Sequence, residues 1–172
     1  MPSRRMMLST ASAAAVGALA GCTLVSSDRG VDGYVQLKSI EAWKRDSEGG
    51  ELFKDVIIRV WPKSQPGPYE PELKILDDEW ADRFDTPLEP VVSDELHDDL
   101  DRAYEILQYT VGVCSEEWVD NYDDGDEIVC YNAPVSRGEF NTAQLYDHVR
   151  ASYENHELSI HSREGEWTFD SE

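Results

Sequence analysis

The alternation of apolar side chains before residue 61 most restricts what this chain can fold into. Val56, Ile58 and Val60 recur at period two, the spacing that puts side chains on one face of a strand. Phe53, Ile57 and Trp61 partly populate the opposite face, so this strand is expected to be covered on more than one side. Residues 34–43 form a second extended run. Between the two stands Asp46-Ser47-Glu48-Gly49-Gly50, a turn composition, and the segment reads as a β-hairpin.

Helical spacing appears twice further on. Over residues 93–109, Ser93 is an N-cap, and Asp94 and Glu95 complement the positive end of the helix dipole. Leu96, Leu100, Ala103, Tyr104 and Leu107 then make one apolar stripe. The second signature begins at Asn141 as N-cap, with Gln144 as capping-box partner and Phe140 and Leu145 as hydrophobic staple. Ala143, Tyr146, Val149 and Tyr153 would be its inner face. Residues 109–114 and 127–132 read as a strand pair, with Pro134 stopping the second strand. Leu158 and Ile160 alternate in a last hairpin that turns at Arg163-Glu164-Gly165, with Trp167 and Phe169 in its partner strand. Residues 62–71 hold four prolines and read as a surface crossing; a short strand at 73–76 and a helical turn near Asp77 follow. The order is hairpin, helix, strand pair, helix, hairpin. It predicts an α+β domain: a mainly antiparallel sheet with two main helices on one face.

Charge restricts partners. The chain has 36 acidic and 15 basic residues, a net of −21. Such a field repels nucleic acid and anionic lipid headgroups, which need basic patches. It also opposes compaction at low salt, an effect that molar salt screens to roughly 3 Å. Disorder does not follow, because five tryptophans and eight tyrosines supply large buriable groups.

The first 22 residues carry a processing signal. Arg4 and Arg5 precede an uncharged run over residues 6–21 that closes on Leu19-Ala20-Gly21-Cys22. A basic start, a short apolar stretch and small residues before a cut site make a secretory signal, and the stretch falls short of the roughly 20 apolar residues of a membrane span. The paired arginines resemble the twin-arginine export signal, with Met7 and Leu8 as its apolar pair. The final tetrad resembles the lipobox of lipoproteins. The resemblance implies cleavage before Cys22, lipid on its thiol, and anchoring at the outer face of the cell membrane. Residues 1–21 would then be the signal peptide, 22–33 a lipidated tether and 34–172 a single domain. Cleavage removes only Arg4 and Arg5 from the charged set, leaving 13 basic residues against 36 acidic, a net of −23. Acidity, scarce lysine and these export motifs together look like a secreted protein of a halophilic archaeon.

With Cys22 given to lipid, Cys114 and Cys130 remain. An even pair outside the cytoplasm reads as a disulfide, its loop contributing on the order of 3 kcal/mol. A metal pair and a free catalytic thiol are the alternatives, and a zinc site would want further Cys or His at close spacing.

Candidate chemistry is sparse. The acidic stretch of residues 120–127 offers Asp120, Asp123, Asp124 and Asp126 as ligands for a weak calcium site. An EF-hand register with Gly125 at the sixth position fails, because Tyr122 and Tyr131 fall where carboxylates belong. The alternative is a solvated acidic turn. His97, His148, His156 and His161 have no metal-motif spacing, although His156 and His161 are close enough in sequence to meet at the last hairpin. Trp43 and Trp61 are expected in the core. These features favour a non-catalytic binding or assembly module acting on other envelope proteins, with no cofactor beyond weak calcium. The alternatives are an exported hydrolase with a carboxylate/histidine site, and a structural envelope component.

Overall fold

The computed structural model describes residues 30–63, 70–121 and 127–169. Seven strands form one antiparallel sheet: β1 (Val31–Arg45), β2 (Leu52–Pro62), β3 (Pro71–Leu76), β4 (Ile106–Ser115), β5 (Val129–Val135), β6 (Asp147–Glu154) and β7 (Glu157–Glu166). Two α-helices interrupt them, α1 (Asp94–Ala103) and α2 (Arg137–Thr142), and both pack against β4. The expected α+β character therefore appears in sheet-dominated form.

The long strand β1 organises the sheet. One of its edges pairs with β4 from Tyr34 to Trp43. Its other edge is shared: Val31–Tyr34 pairs with β6, and Lys38–Arg45 pairs with β2. The spatial order is β3-β2-β1-β4-β5, with the β6–β7 hairpin branching from the start of β1. The first hairpin is the one the alternation predicts. Ile57, Ile58 and Val60 are fully buried, so β2 is covered on both faces over its centre. Gly49 adopts φ +82° in its turn, a conformation open to glycine at no steric cost.

Several expectations are corrected. The strand β1 opens at Val31, inside the stretch read as tether. The helix α1 keeps its start, with Ser93 Oγ accepting from Leu96 N at 3.1 Å, but it ends at Ala103. Tyr104 is extended, and Leu107 belongs to β4. The second helix starts five residues earlier than Asn141: Ser136 and Glu139 form a reciprocal capping box around α2. Asn141 instead spends its amide on Val92, accepting from its N–H and donating to its carbonyl. Val149 and Tyr153 lie in β6, where the inward residues Val149 and Ala151 follow period two. Pro134 lies inside β5 rather than after it, which an edge strand tolerates. The last turn falls at Asn155-His156, both at positive φ, whereas Arg163-Glu164-Gly165 is part of β7. Trp167 and Phe169 follow the strand instead of forming its partner. Trp61 is 38% exposed, not in the core. Pro62 and Pro71 pair with each other at the ends of β2 and β3; Pro66 and Pro68 lie outside the described residues.

Among the described residues, Lys38 is fully buried in the core and Asp147 almost so. Lys38 Nζ donates to Pro90 O at 2.8 Å and to Gln144 Oε1 at 2.9 Å, and stands 4.2 Å from the Phe140 ring centroid. Burial drives its pKa down to about 7, against the attraction of Asp147 and Glu89. Asp147 is held in turn by Arg163, at 2.6 Å, and accepts from Gln144 N at 2.7 Å. This polar knot pins residues 84–92 and the α2–β6 connection to the middle of β1.

Candidate functional site

Cys114 and Cys130 face each other across β4 and β5 and are joined by a disulfide. Their Cα atoms are 4.0 Å apart, at directly opposed positions of the β4–β5 pair. The expected pairing is thus present, and it braces the end of the sheet where β1 begins. Close approach extends to Gly33: a Cβ there would fall 2.5 Å from Cys114 O.

A cleft of about 410 Å³ opens at this braced end, lined by Val31, Glu117, Trp118, Tyr131, Tyr153 and Glu154 among others. Its aromatic wall crosses the gap between β5 and β6. Tyr131 stacks on Tyr153 with centroids 4.0 Å apart, and Trp118 meets Tyr131 edge-on at 5.0 Å. Such pairs add roughly 0.5–1.5 kcal/mol each beyond their buried area. The wall is therefore rigid, and its rim carries two carboxylates. Glu117 also reaches β1, where its Oε1 accepts from Asp32 N at 2.9 Å. Ser115 Oγ donates to Asp32 O at 2.5 Å, so the backbone of Asp32 is held from both sides.

Next to the cleft, on the other face of β1, Asp32 meets His148 and Glu164. Asp32 pairs with Arg150 and Tyr34 with His148 across β1 and β6, which sets Asp32, His148 and Arg150 on one face. Glu164 arrives by a bulge. The register runs His148↔Gly165 and then Val149↔Arg163, leaving Glu164 as the extra residue. An unbroken register would set Glu164 opposite Val149, which is fully buried. The bulge, followed by Gly165 at φ +118°, re-aims the carboxylate. One ligand atom from each of the three side chains lies within 4.8 Å of the others.

His148 Nε2 is buried and makes no hydrogen bond among the described residues; it stands 3.4 Å from Asp32 Oδ1. Trp167 packs edge-on against the imidazole at 5.0 Å and fixes its plane. Arg150 Nη1 lies 3.7 Å from the same Asp32 oxygen. The side chains of Asp32 and His148 are 44% and 28% exposed, so solutes reach the group from solvent.

The structure assembles only part of what the sequence suggested. Asp123, Asp124 and Asp126 lie outside the described residues, as do the side chain of Asp120 and all of Arg4, Arg5 and Cys22. His156 and His161 bond elsewhere: Tyr153 Oη is 3.4 Å from His156 Nδ1, and Ser152 Oγ is 2.9 Å from His161 Nε2. His97 Nδ1 contacts Tyr109 Oη at 2.7 Å. The Asp32–His148–Glu164 group had no spacing signal, because its members are separated by 116 and 16 positions.

No helix among the described residues is long and apolar enough to cross a membrane. In comparisons with known proteins, no family model matches the chain, and neither a curated protein nor a solved structure matches it.

Proposed function

We propose that this chain is an exported, lipid-anchored binding module that acts outside the cell without catalysing a reaction. The observation that carries the reading is the Cys114–Cys130 disulfide. It suits an oxidising compartment, and of three cysteines it leaves only Cys22, which closes the Leu19-Ala20-Gly21-Cys22 tetrad, for lipid. Two acyl chains on that residue would give firm anchoring; one chain alone binds marginally.

The reading also supplies a geometry. Only nine positions separate Cys22 from Val31, a reach of at most about 32 Å. The cleft that Val31 lines would then face the near-membrane space, where its aromatic wall and the carboxylates of Glu117 and Glu154 suit a cationic ligand with apolar surface, such as a basic segment of another envelope protein.

The test is fractionation. Cys22→Ser should move the protein from the membrane to the soluble fraction while Cys114 and Cys130 stay joined. A variant that remained in membranes at wild-type level would defeat the anchor. A second reading, an exported hydrolase, draws on the convergence of Asp32, His148 and Glu164. Turnover of a chromogenic ester or phosphate ester that vanished in His148→Ala would favour it over the binding module.

A further inference from the structure

The geometry points to a divalent metal site of the zinc or manganese class at Asp32, His148 and Glu164, formed by β1, β6 and the bulge of β7. Neither the lipid anchor nor the aromatic cleft is needed for it. The donor set is one imidazole and two carboxylates, which balances a dication and leaves coordination positions for water. Imidazole favours zinc and its first-row neighbours over calcium and magnesium, which take oxygen alone.

Three observations converge. First, His148 Nε2 is buried and makes no hydrogen bond among the described residues, and it lies 3.4 Å from Asp32 Oδ1. Second, the 3.4 Å between these atoms is the donor–donor edge of a tetrahedron with metal–ligand bonds of about 2.1 Å. Third, the bulge moves Glu164 away from the buried Val149 position and brings it within 4.8 Å of both donors. Glu164 is exposed, and among the described residues it accepts a hydrogen bond from Ser162 Oγ at 3.3 Å, so a change of rotamer is open to it on binding an ion. The imidazole plane is already set by Trp167, and the Asp32 backbone by Glu117 and Ser115.

Arg150 works against the metal. Its guanidinium sits 3.7 Å from Asp32 Oδ1 and supplies positive charge to the same carboxylate. The metal must displace or tolerate it, so the affinity is set by a competition between the two cations.

The experiment is titration of the full chain with Zn2+ and, separately, Mn2+, at fixed ionic strength with excess Mg2+ to occupy diffuse acidic sites. The expected result is one Zn2+ per chain, with a shift of the His148 imidazole nitrogen resonance on saturation. His148→Ala should weaken binding at least tenfold, Glu164→Gln severalfold, and Arg150→Gln should tighten it. Zn2+ binding of equal strength in the wild type, His148→Ala and Glu164→Gln would overturn the site. So would a His148 resonance that stays in place, or an Arg150→Gln affinity no higher than the wild type.

Discussion

Burial of Lys38 makes the stability of this domain depend on pH in a direction opposite to that of most proteins near neutrality. The amine has an ordinary pKa of 10.5 when unfolded and about 7 in the fold, because burial disfavours its charged form more than Asp147 and Glu89 restore it. Its two hydrogen bonds, to Pro90 O and Gln144 Oε1, are the two a neutral amine can donate. Between these two pKa values the unfolded chain binds a proton that the folded chain does not. The unfolding free energy therefore rises with pH, by about 1.4 kcal/mol per unit. From pH 7.5 to 9.5 the gain is about 2.5 kcal/mol, a sizeable part of a typical 5–15 kcal/mol. Below pH 7 the amine is charged in both states and the slope vanishes. Above pH 9.5 the tyrosines intervene with opposite sign: burial raises Tyr104, and it pushes Tyr109 up to about 12, so their contribution is lost as pH rises. The assay is urea unfolding followed by tryptophan fluorescence, at constant molar salt and with the disulfide intact. Lys38→Met should flatten the profile. A wild-type stability that is level or falling from pH 7.5 to 9.5, or a slope that survives in Lys38→Met, would exclude Lys38 as the source of the pH dependence.

Other consequences are local. The Cys114→Ser/Cys130→Ser pair should lose about 3 kcal/mol of unfolding free energy, given a separation of 16 positions; a midpoint unmoved on reduction would contradict this. Ser136→Ala should cost about 1 kcal/mol by removing one half of the α2 capping box, whereas Asn141→Ala should speed amide exchange at Val92 and leave the α2 amides protected. Protection lost across α2 in Asn141→Ala would restore Asn141 as the cap.

What could be read in advance follows from how local each signal is. The β1–β2 hairpin and the start of α1 depend on neighbouring residues, on Gly49-Gly50 in one case and on Ser93 in the other, and both are visible in the sequence. The end of α1 was not, because Tyr104 and Leu107 continue a helical stripe while also suiting a strand. Two capping signatures competed for α2. Ser136-x-x-Glu139 prevailed, since Val149, Ala151 and Tyr153 satisfy period two and β6 could pair with both β1 and β7. The disulfide was legible from a count of cysteines and an inferred compartment. The Asp32–His148–Glu164 group was not, since it needs three strands and one bulge, and pairing between distant segments leaves no spacing to find.

The central claim is an exported module carrying lipid on Cys22 and a disulfide between the other two cysteines. Intact mass spectrometry of the protein extracted from membranes by detergent tests it most directly. The expected species is a chain beginning at Cys22, heavier by a two-chain lipid, with a tryptic peptide pair joined through Cys114 and Cys130. A chain retaining residues 1–21, or an unmodified Cys22 thiol, would contradict it.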